Sequence, residues 1–359
     1  MMKILAIETS CDETAVAVTE GRRILSNVIF SQINIHKKWG GVYPSLAKRA
    51  HEEKIDVAIQ KALKNAGVKI NQIDAIAVTF GPGLVIALEI GLNKAKELAV
   101  QYNKPLIPVD HIEGHIYSCF AQNSQGNPKR EINFPFLALI VSGGHTSIIL
   151  VKDHLKYEII GRTLDDAAGE ALDKAAKMMG LGYPGGPVIE ELAKTGDPLF
   201  LDLPMPMKNN KTLDFSYSGL KTAFKYQLEK MPEKVILKNL SHLAASFQEV
   251  AFNQIIDRLE KAFLNLKGPT LQAWELVVGG GVVANKKLRQ KIRQLVKQKK
   301  ASVLFPLSQK LTGDNAAMIG VAAHYKYQKG VYLKDGFESL DRVARPNLKM
   351  WINESKDVG

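Results

Sequence analysis

The 359-residue chain holds only two cysteines, Cys11 and Cys119, and no C-x-x-C pair. That excludes a disulfide framework and a cysteine-based zinc site, and it suits a reducing compartment. Long apolar runs are missing as well. No stretch reaches the roughly 20 residues that a membrane-spanning helix needs. The apolar run in MMKILAIETS is ended by Glu8, short of a signal-peptide core. A soluble, cytoplasmic protein with no membrane partner is therefore expected. Acid is in short supply: 36 Asp+Glu against 48 Lys+Arg leave a net charge of +12. A surplus of that size favours polyanionic partners such as nucleic acid or nucleotides, although a basic surface with no partner is about as common. Hydrophobic residues make up 46% and charged residues 23%, so the chain is not a disordered one. Its length suits one large domain or two ordinary ones.

One order of elements occurs twice. Strands at Lys3–Ile7, Ala15–Thr19 and Ile24–Phe30 are followed by a helical pattern from about Pro44 to Ala66, whose apolar positions Ile55, Ala58, Ile59, Ala62 and Leu63 share a face. A strand (Ile73–Thr79), a Gly-Pro-Gly loop, a helix to about Tyr102, a strand (Leu106–Val109) and another helix complete the block. The second half repeats it with strands Leu137–Val141, Ser147–Val151 and Tyr157–Gly161, then helices, one of them long (about Val235–Leu266). Strand Glu275–Val278, a Gly-Gly-Gly loop, a basic helix, strand Ser302–Phe305 and a last helix from about Asp314 follow. The polar stretch Gln122–Asn133 reads as the connection between lobes, and Lys194–Tyr217 as a long functional or mobile loop. Both lobes are α/β, and ligands in such sheets sit beyond the carboxyl ends of the strands. The duplication predicts two sets of strand-end loops facing each other across a cleft.

Those loops are chemically loaded. Val141-Ser142-Gly143-Gly144-His145-Thr146 and Val278-Gly279-Gly280-Gly281-Val282-Val283-Ala284-Asn285 each follow an apolar strand, and the second opens a helix. Adjacent glycines let backbone amides approach a phosphate, and a helix N-terminus favours anions. A tight turn explains either loop alone, but two at equivalent places favour nucleotide binding. Thr79-Phe80-Gly81-Pro82-Gly83-Leu84 reads equally well as a third such site or as a turn. Asp166, Glu170 and Asp173 form an acidic stripe at i, i+4 and i+7 that could hold ribose hydroxyls, although a solvated helix face is commoner. The helix Lys286–Lys300 is either a phosphate contact or the wet face of an amphipathic helix. Cys11 has no base near it in sequence and reads as a small loop residue.

His111-Ile112-Glu113-Gly114-His115 sets two imidazoles at i and i+4, on one face of a helix and within reach of one ion. Asp314 follows the last strand of the second block as His111 follows that of the first, so duplication would bring them together across the cleft. Asp314 is also a favoured N-cap residue type. A 2-His-1-carboxylate set with open positions suits iron or zinc. Glu113 lies two residues after the first His, about 200° around the helix. It therefore points away from the metal and cannot act as the base of an H-E-x-x-H peptidase.

Together these motifs resemble the tRNA threonylcarbamoyltransferase catalytic-subunit family, TsaD in bacteria, once described as an O-sialoglycoprotein endopeptidase. The matching stretches are AIETSCDET (6–14), DHIEGH (110–115), LIVSGGHT (139–146), GRTLDDAAGEALDKAAKMMGLGYPGGP (161–187), DFSYSGLKTA (214–223), VVGGGVVAN (277–285) and GDNAAMIG (313–320). The resemblance implies a duplicated actin-like ATPase (ribonuclease H-like) fold with two lobes and a central cleft. The N-terminal lobe would span 1–121, completed by a C-terminal helix at about 314–345. The C-terminal lobe would span 134–313, with a helical insertion at about 165–270. It implies transfer of threonylcarbamoyl from threonylcarbamoyl-adenylate to N6 of adenosine 37 in tRNAs reading codons that begin with A, with release of AMP. His111, His115 and Asp314 would hold one divalent metal ion, iron ahead of zinc. Ile140, Val141, Ser142, Gly143, Gly144, Asp173, Gly186, Glu190 and Asn285 would hold the adenine nucleotide, the adenylate itself or ATP. Asp12 or Glu13 could accept the N6 proton. Expected partners are tRNA, a TsaB-like paralogue and a TsaE-like ATPase, with a functional link to the threonylcarbamoyl-adenylate synthase. The chain departs from the family in carrying Glu190 where Asp is usual, and Ile86 and Glu89 after the Gly-Pro-Gly loop. Competing readings are a non-catalytic nucleotide-binding scaffold, a sugar kinase or ATPase, and the metallopeptidase. A kinase of this fold would carry Asp at the end of the first strand, where Glu8 and Thr9 stand.

Overall fold

The computed structural model describes residues 1–265 and 275–334. In chain order the elements are β1 (Lys3–Glu8), β2 (Glu13–Glu20), β3 (Arg23–Ser31), α1 (Ile33–His36), α2 (Pro44–Ala66), β4 (Ala75–Gly81), α3 (Val85–Gln101), β5 (Leu106–Asp110) and α4 (His111–Tyr117). Next come β6 (Phe136–Val141), β7 (Thr146–Asp153), β8 (Lys156–Arg162), α5 (Ala168–Met178), α6 (Gly185–Ala193), α7 (Ser218–Glu229), α8 (Glu233–Lys238) and α9 (Leu240–Asn265). Then follow β9 (Glu275–Gly279), α10 (Lys286–Gln298), β10 (Ser302–Leu304) and α11 (Ala316–Gln328).

The chain forms two compact units. Among the described residues, one comprises 1–134, 153–157 and 305–334, and the other 135–152 and 158–304. Each holds a five-stranded sheet, in the orders β3-β2-β1-β4-β5 and β10-β9-β6-β7-β8. Taken from the matching end, these are one topology used twice. In each, the first strand is central, antiparallel to the second and parallel to the fourth. Central strands buried on both faces read as unbroken apolar runs, which is why ILAI and FLALIV stand out in the sequence.

In the first unit Leu5, Ile7, Val16 and Val18 pack against Ile55, Ala58, Ile59 and Ala62 of α2 and Leu92 and Ala95 of α3. Each large aliphatic side chain so buried contributes of order 1.5–3 kcal/mol. The opposite face of the sheet carries small residues, Ala15 and Ala17 among them, and receives α11. A Cβ on Gly320 would stand 2.6 Å from Thr19 Oγ1, so only glycine lets that helix lie so close. The sequence places residues 305–313 in the C-terminal lobe. The chain instead re-enters the first unit at Phe305, because α11 buries its apolar surface on β1 and β2. The helix expected to run to about 345 ends at Gln328, where the chain turns through Gly330 (φ +75°) and Leu333 bridges to Leu106; residues past Lys334 lie outside the described residues.

In the second unit the long helix expected at 235–266 is two helices, α8 and α9, broken at Asn239, whose amide donates to the Val235 carbonyl (2.8 Å). Leu266 lies outside the described residues. The segment 194–217, read from sequence as a functional or mobile loop, is fastened to α9. Arg258, fully buried, donates to the carbonyls of Met207, Asn210 and Thr212. Gln254 donates to those of Pro206 and Ser216. The basic helix is α10, and its apolar stripe Leu288, Ile292, Leu295 and Val296 is buried. Part of its charge is neutralised on α9, where Lys291 meets Glu249 (2.6 Å) and Lys299 meets Glu260 (2.7 Å).

Candidate metal centre and nucleotide pocket

His111 opens α4 immediately after β5. Asp110 is the N-cap, its carboxylate accepting from the amides of Ile112 (2.8 Å) and Glu113 (3.1 Å). The cap starts the helix at the strand end and turns His111 and His115 onto one face, their ring centroids 4.7 Å apart. Asp314 Oδ1 lies 3.5 Å from His111 Nε2 and 3.3 Å from His115 Nε2. One ligand atom from each of the three lies within 4.8 Å of the others. The grouping is the expected one, but its origin differs. All three residues belong to the first unit, where packing of α11 on the sheet sets the preceding Asp314 beside α4. Asp314 is not the helix cap: Asn315 is, its side chain accepting from the Met318 amide at 3.1 Å.

The donor set fits a metal ion. His115 is fully buried, and its Nε2 lies off the line of a hydrogen bond to Asp314. Both ring nitrogens lack a hydrogen-bond partner among the described residues. A buried polar atom left bare is costly unless something absent from the protein chain satisfies it. The other side of His111 is fixed by a carboxylate and a hydroxyl: Nδ1 lies 3.2 Å from Glu8 Oε2 and 3.1 Å from Ser10 Oγ. Such partners set the tautomer and aim the second nitrogen at the metal. Burial disfavours the His111 imidazolium, but the Asp314 and Glu8 carboxylates outweigh it and raise its pKa to about 9. Burial keeps that of His115 low against the pull of Asp314. Glu8 and Ser10 carry no recognisable sequence signal for this role beyond lying at the end of the first strand.

The Gly-Pro-Gly loop resolves as a packing turn. Leu84 N–H donates to the Ser10 carbonyl (2.7 Å), and a Cβ on Gly83 would lie 2.6 Å from that oxygen. The loop therefore props Ser10 against His111. Glu113 points away from the centre, as its spacing predicts. It accepts from Tyr157 Oη (2.7 Å) and pairs with Lys326 Nζ (3.4 Å), all three side chains being buried.

Asp12 and Glu13 lie at the turn into β2, close enough to Asp314 for their charges to interact. Burial, then Asp12 and Asp314, push the Glu13 carboxyl well above the usual carboxylate range. Burial and the same carboxylates, Asp12 first, push the Cys11 thiol up, which rules it out as a thiolate nucleophile.

The nine predicted nucleotide residues all lie in the second unit, Ser142 with its Oγ accepting from the His145 amide (3.1 Å). Gly143, Asp173, Gly186, Glu190 and Asn285 line one cavity. At Gly143, Gly144 and Gly186 a Cβ would meet nothing within 4 Å, so their backbone faces open space. Ile140 and Val141, by contrast, are fully buried in β6 and paired on both sides or at its end, so their side chains do not reach the cavity. Several polar groups are already engaged. Asp173 Oδ1 accepts from the amides of Gly185 (2.7 Å) and Gly186 (3.2 Å), and Glu190 Oε1 from that of Lys286 (2.7 Å). Asn285 caps α10 through Lys287 and Leu288 and donates to Gln248 Oε1 (2.8 Å). These residues shape the wall of the cavity and hold the α6 and α10 ends at its edge. The acidic stripe is not one surface: Asp166 pairs with Lys174 and Lys221 (both 2.6 Å), and Glu170 with Lys174 (2.7 Å).

The profile of the family described as TsaD, tRNA N6-adenosine threonylcarbamoyltransferase, matches residues 23–321. The chain is 46% identical over 351 residues to the tRNA N6-adenosine threonylcarbamoyltransferase of Clostridium kluyveri, covering 97% of this chain and 98% of that one. It is 49% identical over 329 residues to the protein of the same name from Staphylococcus aureus, covering 91% and 92%. Among solved structures, full-length HypF in its phosphate- and nucleotide-bound form aligns with a TM-score of 0.57 at 15% identity, over 92% of this chain and 47% of that one. That likeness is one of fold, the actin-like ATPase architecture.

Proposed function

Because the chain belongs to the TsaD family of tRNA N6-adenosine threonylcarbamoyltransferases, we propose that it transfers threonylcarbamoyl from threonylcarbamoyl-adenylate to N6 of adenosine 37. The tRNAs are those reading codons that begin with A, and AMP is released. The activity is an acyl transfer that modifies tRNA. The observation that carries the reading of the site is the buried convergence of His111 Nε2, His115 Nε2 and the Asp314 carboxylate, with neither His115 ring nitrogen in a well-formed hydrogen bond.

His111, His115 and Asp314 would hold one divalent ion, for which we propose iron ahead of zinc on the 2-His-1-carboxylate donor set. Such an ion acts as a Lewis acid on an acyl carbonyl. The protein's own groups do the rest. Glu8 and Ser10 hold the His111 ring. The open backbone at Gly143 and Gly144 would receive the adenylate phosphate, whose anion leaves with the electron pair of the broken acyl–phosphate bond. Adenine N6 is a weak nucleophile and must lose a proton as the new C–N bond forms. We assign that proton to Asp12, at the same turn as Glu13, whose carboxyl burial pushes up. Glu113 is bound to Lys326 and Tyr157, which leaves a peptidase without its base. A scaffold would have no use for the metal ligands. We further propose a TsaB-like paralogue and a TsaE-like ATPase as partners, and a threonylcarbamoyl-adenylate synthase as the source of the donor. No helix among the described residues is long and apolar enough to cross a membrane.

The test combines the protein, those partners and the synthase with threonine, bicarbonate, ATP and unmodified tRNA, followed by mass analysis of the tRNA nucleosides. Threonylcarbamoyl-adenosine is expected. Its absence from the complete mixture overturns the reading.

A further inference from the structure

An exposed aromatic pair stands beside the acid loop. Trp39 and Tyr43 are 61% and 48% exposed, and their rings lie 5.3 Å apart, inclined at 30°. Scattered exposed aromatics are ordinary on protein surfaces. Three observations set this pair apart.

The first is charge. From Gly21 to His51 the chain has no Asp or Glu, while Lys37, Lys38, Lys48 and Arg49 are all exposed. Lys48 and Arg49 pair with Glu52 and Glu53 on α2. Lys37 and Lys38, next to Trp39, pair with no acid among the described residues.

The second is a buried relay to the loop that carries Asp12. The Gln32 amide donates to the Asp12 carbonyl (2.9 Å), and Gln32 Oε1 lies 3.0 Å from His36 Nε2. The Tyr43 amide donates to His36 Nδ1 (3.2 Å), which makes Nε2 the protonated nitrogen and the donor to Gln32. Gln32 and His36 are buried. From the other side His51 bonds Thr14 Oγ1 (2.8 Å) and the Cys11 carbonyl (3.0 Å), so α2 grips the same loop.

The third is the turn between the rings. Gly40, at φ +65°, and Gly41, at φ +155°, make the turn, and Pro44 starts α2 immediately after Tyr43. The turn brings both rings to one exposed patch, with Tyr43 set at the start of α2.

We propose that Trp39 and Tyr43 are a stacking platform for an unpaired nucleobase of the tRNA substrate, with Lys37 and Lys38 on the adjoining phosphates. A base that reacts at an exocyclic amine has to leave its stack, and its neighbours in the loop then lose a stacking face. Single-stranded RNA is commonly held by aromatic faces set in a cationic surface. The relay sets this platform at a fixed distance from Asp12. The inference rests on the transferase reading, but it is tested by binding, without turnover.

The wild-type chain is compared with Trp39→Ala, Tyr43→Ala, Trp39→Phe and Lys37→Ala/Lys38→Ala in titrations with an unmodified anticodon stem–loop RNA, with the partner proteins present. Stacking strength predicts a loss of roughly ten- to a hundredfold in affinity for each alanine variant, and near-complete recovery for Trp39→Phe. The lysine variant should lower the salt dependence of binding, whereas the alanine variants leave that slope unchanged. In a Trp274→Phe/Trp351→Phe background Trp39 is the only tryptophan of the chain. Its fluorescence should be quenched by the stem–loop and not by a blunt RNA duplex. Unchanged RNA affinity in Trp39→Ala, or a Trp39 signal indifferent to the stem–loop, overturns the proposal. So does loss of partner-protein association with RNA binding intact, which would make the pair a protein contact. If the wild-type chain binds the stem–loop but modifies no tRNA, it is the transferase reading that fails.

Discussion

If His111 ligates the proposed metal ion, metal and proton compete for it, and the competition has a size. With the imidazole at about 9, only about one metal-free molecule in a hundred has it neutral at pH 7, and about one in ten at pH 8. A metal ligand must be neutral, so binding at pH 7 costs about 3 kcal/mol of deprotonation that is absent above pH 9. Apparent metal affinity should therefore rise about tenfold from pH 7 to pH 8 and level off above 9, with about one proton released per ion at pH 7. His115, held low by burial, adds no proton in that window. Competition titration against a chelator of known pH dependence measures the affinity, and calorimetry in two buffers of different ionisation enthalpy counts the proton. The same shift links to stability with a definite sign. The folded value of His111 lies above the unfolded value of about 6.5, so the contribution is complete below pH 6.5 and is lost as pH rises toward 9. The metal-free chain should melt lower as pH climbs through that range, while the metal-loaded chain should not. Glu8→Gln removes one of the carboxylates that hold the proton and should flatten both curves. An affinity that does not change between pH 7 and 8, or binding without proton release, refutes this account of the centre.

Glu113→Gln takes from the buried Lys326 ammonium the carboxylate it pairs with, and should cost about 3–5 kcal/mol in urea unfolding; Glu113→Gln/Lys326→Met should recover much of it. Gly280 sits at φ +99° with the Val141 carbonyl oxygen 2.3 Å from where a Cβ would stand, so Gly280→Ala should destabilise by about 1–3 kcal/mol or more. Gly143→Ala meets nothing within 4 Å and should unfold like the wild type, yet lower AMP affinity by about tenfold if one backbone contact of about 1.4 kcal/mol is lost; calorimetry and melting together separate the two glycines. Arg258→Met removes the donors to Met207, Asn210 and Thr212, and should raise amide exchange across 206–216 ahead of the rest of the second unit.

What could be read from the sequence is what local physics writes into it. Strands β1 and β6 are continuous apolar runs because both their faces are covered. The helix Pro44–Ala66 runs from a proline at its first turn to a glycine at φ +67° after its end. His111 and His115 are legible because a helical period puts i and i+4 together. Long-range facts were less accessible. The route of the chain back to the first unit at Phe305 depends on how α11 packs, and no local pattern announces it. Asp314 was therefore grouped correctly through a duplication that does not place it: it sits with the histidines by returning to their unit. Glu8 and Ser10 act on His111 across about a hundred residues of chain, with no spacing to mark them. Arg258 lies within a long helix, and its spacing there does not mark it as a donor to a distant segment. It is buried because the carbonyls of an irregular segment required donors, and that requirement is visible only once the segment is folded.

The helix pair α4 and α11 explains why so short a motif can hold a site. α4 faces α11 through Gly114, where a Cβ would come within 2.8 Å of Ile319 Cδ1. On one side of that contact stand His111 and His115 against Asp314, just before α11 begins. On another stands Glu113 against Lys326, near its end. The ionic contact pins the far part of α11 to α4, the glycine sets their separation, and Asp314 is thereby held at ligand distance. The residue that fails as a peptidase base thus has a structural use of its own. A charge buried there costs free energy unless it is paired, and the pairing couples the geometry of the proposed metal ligands to the packing of the first unit.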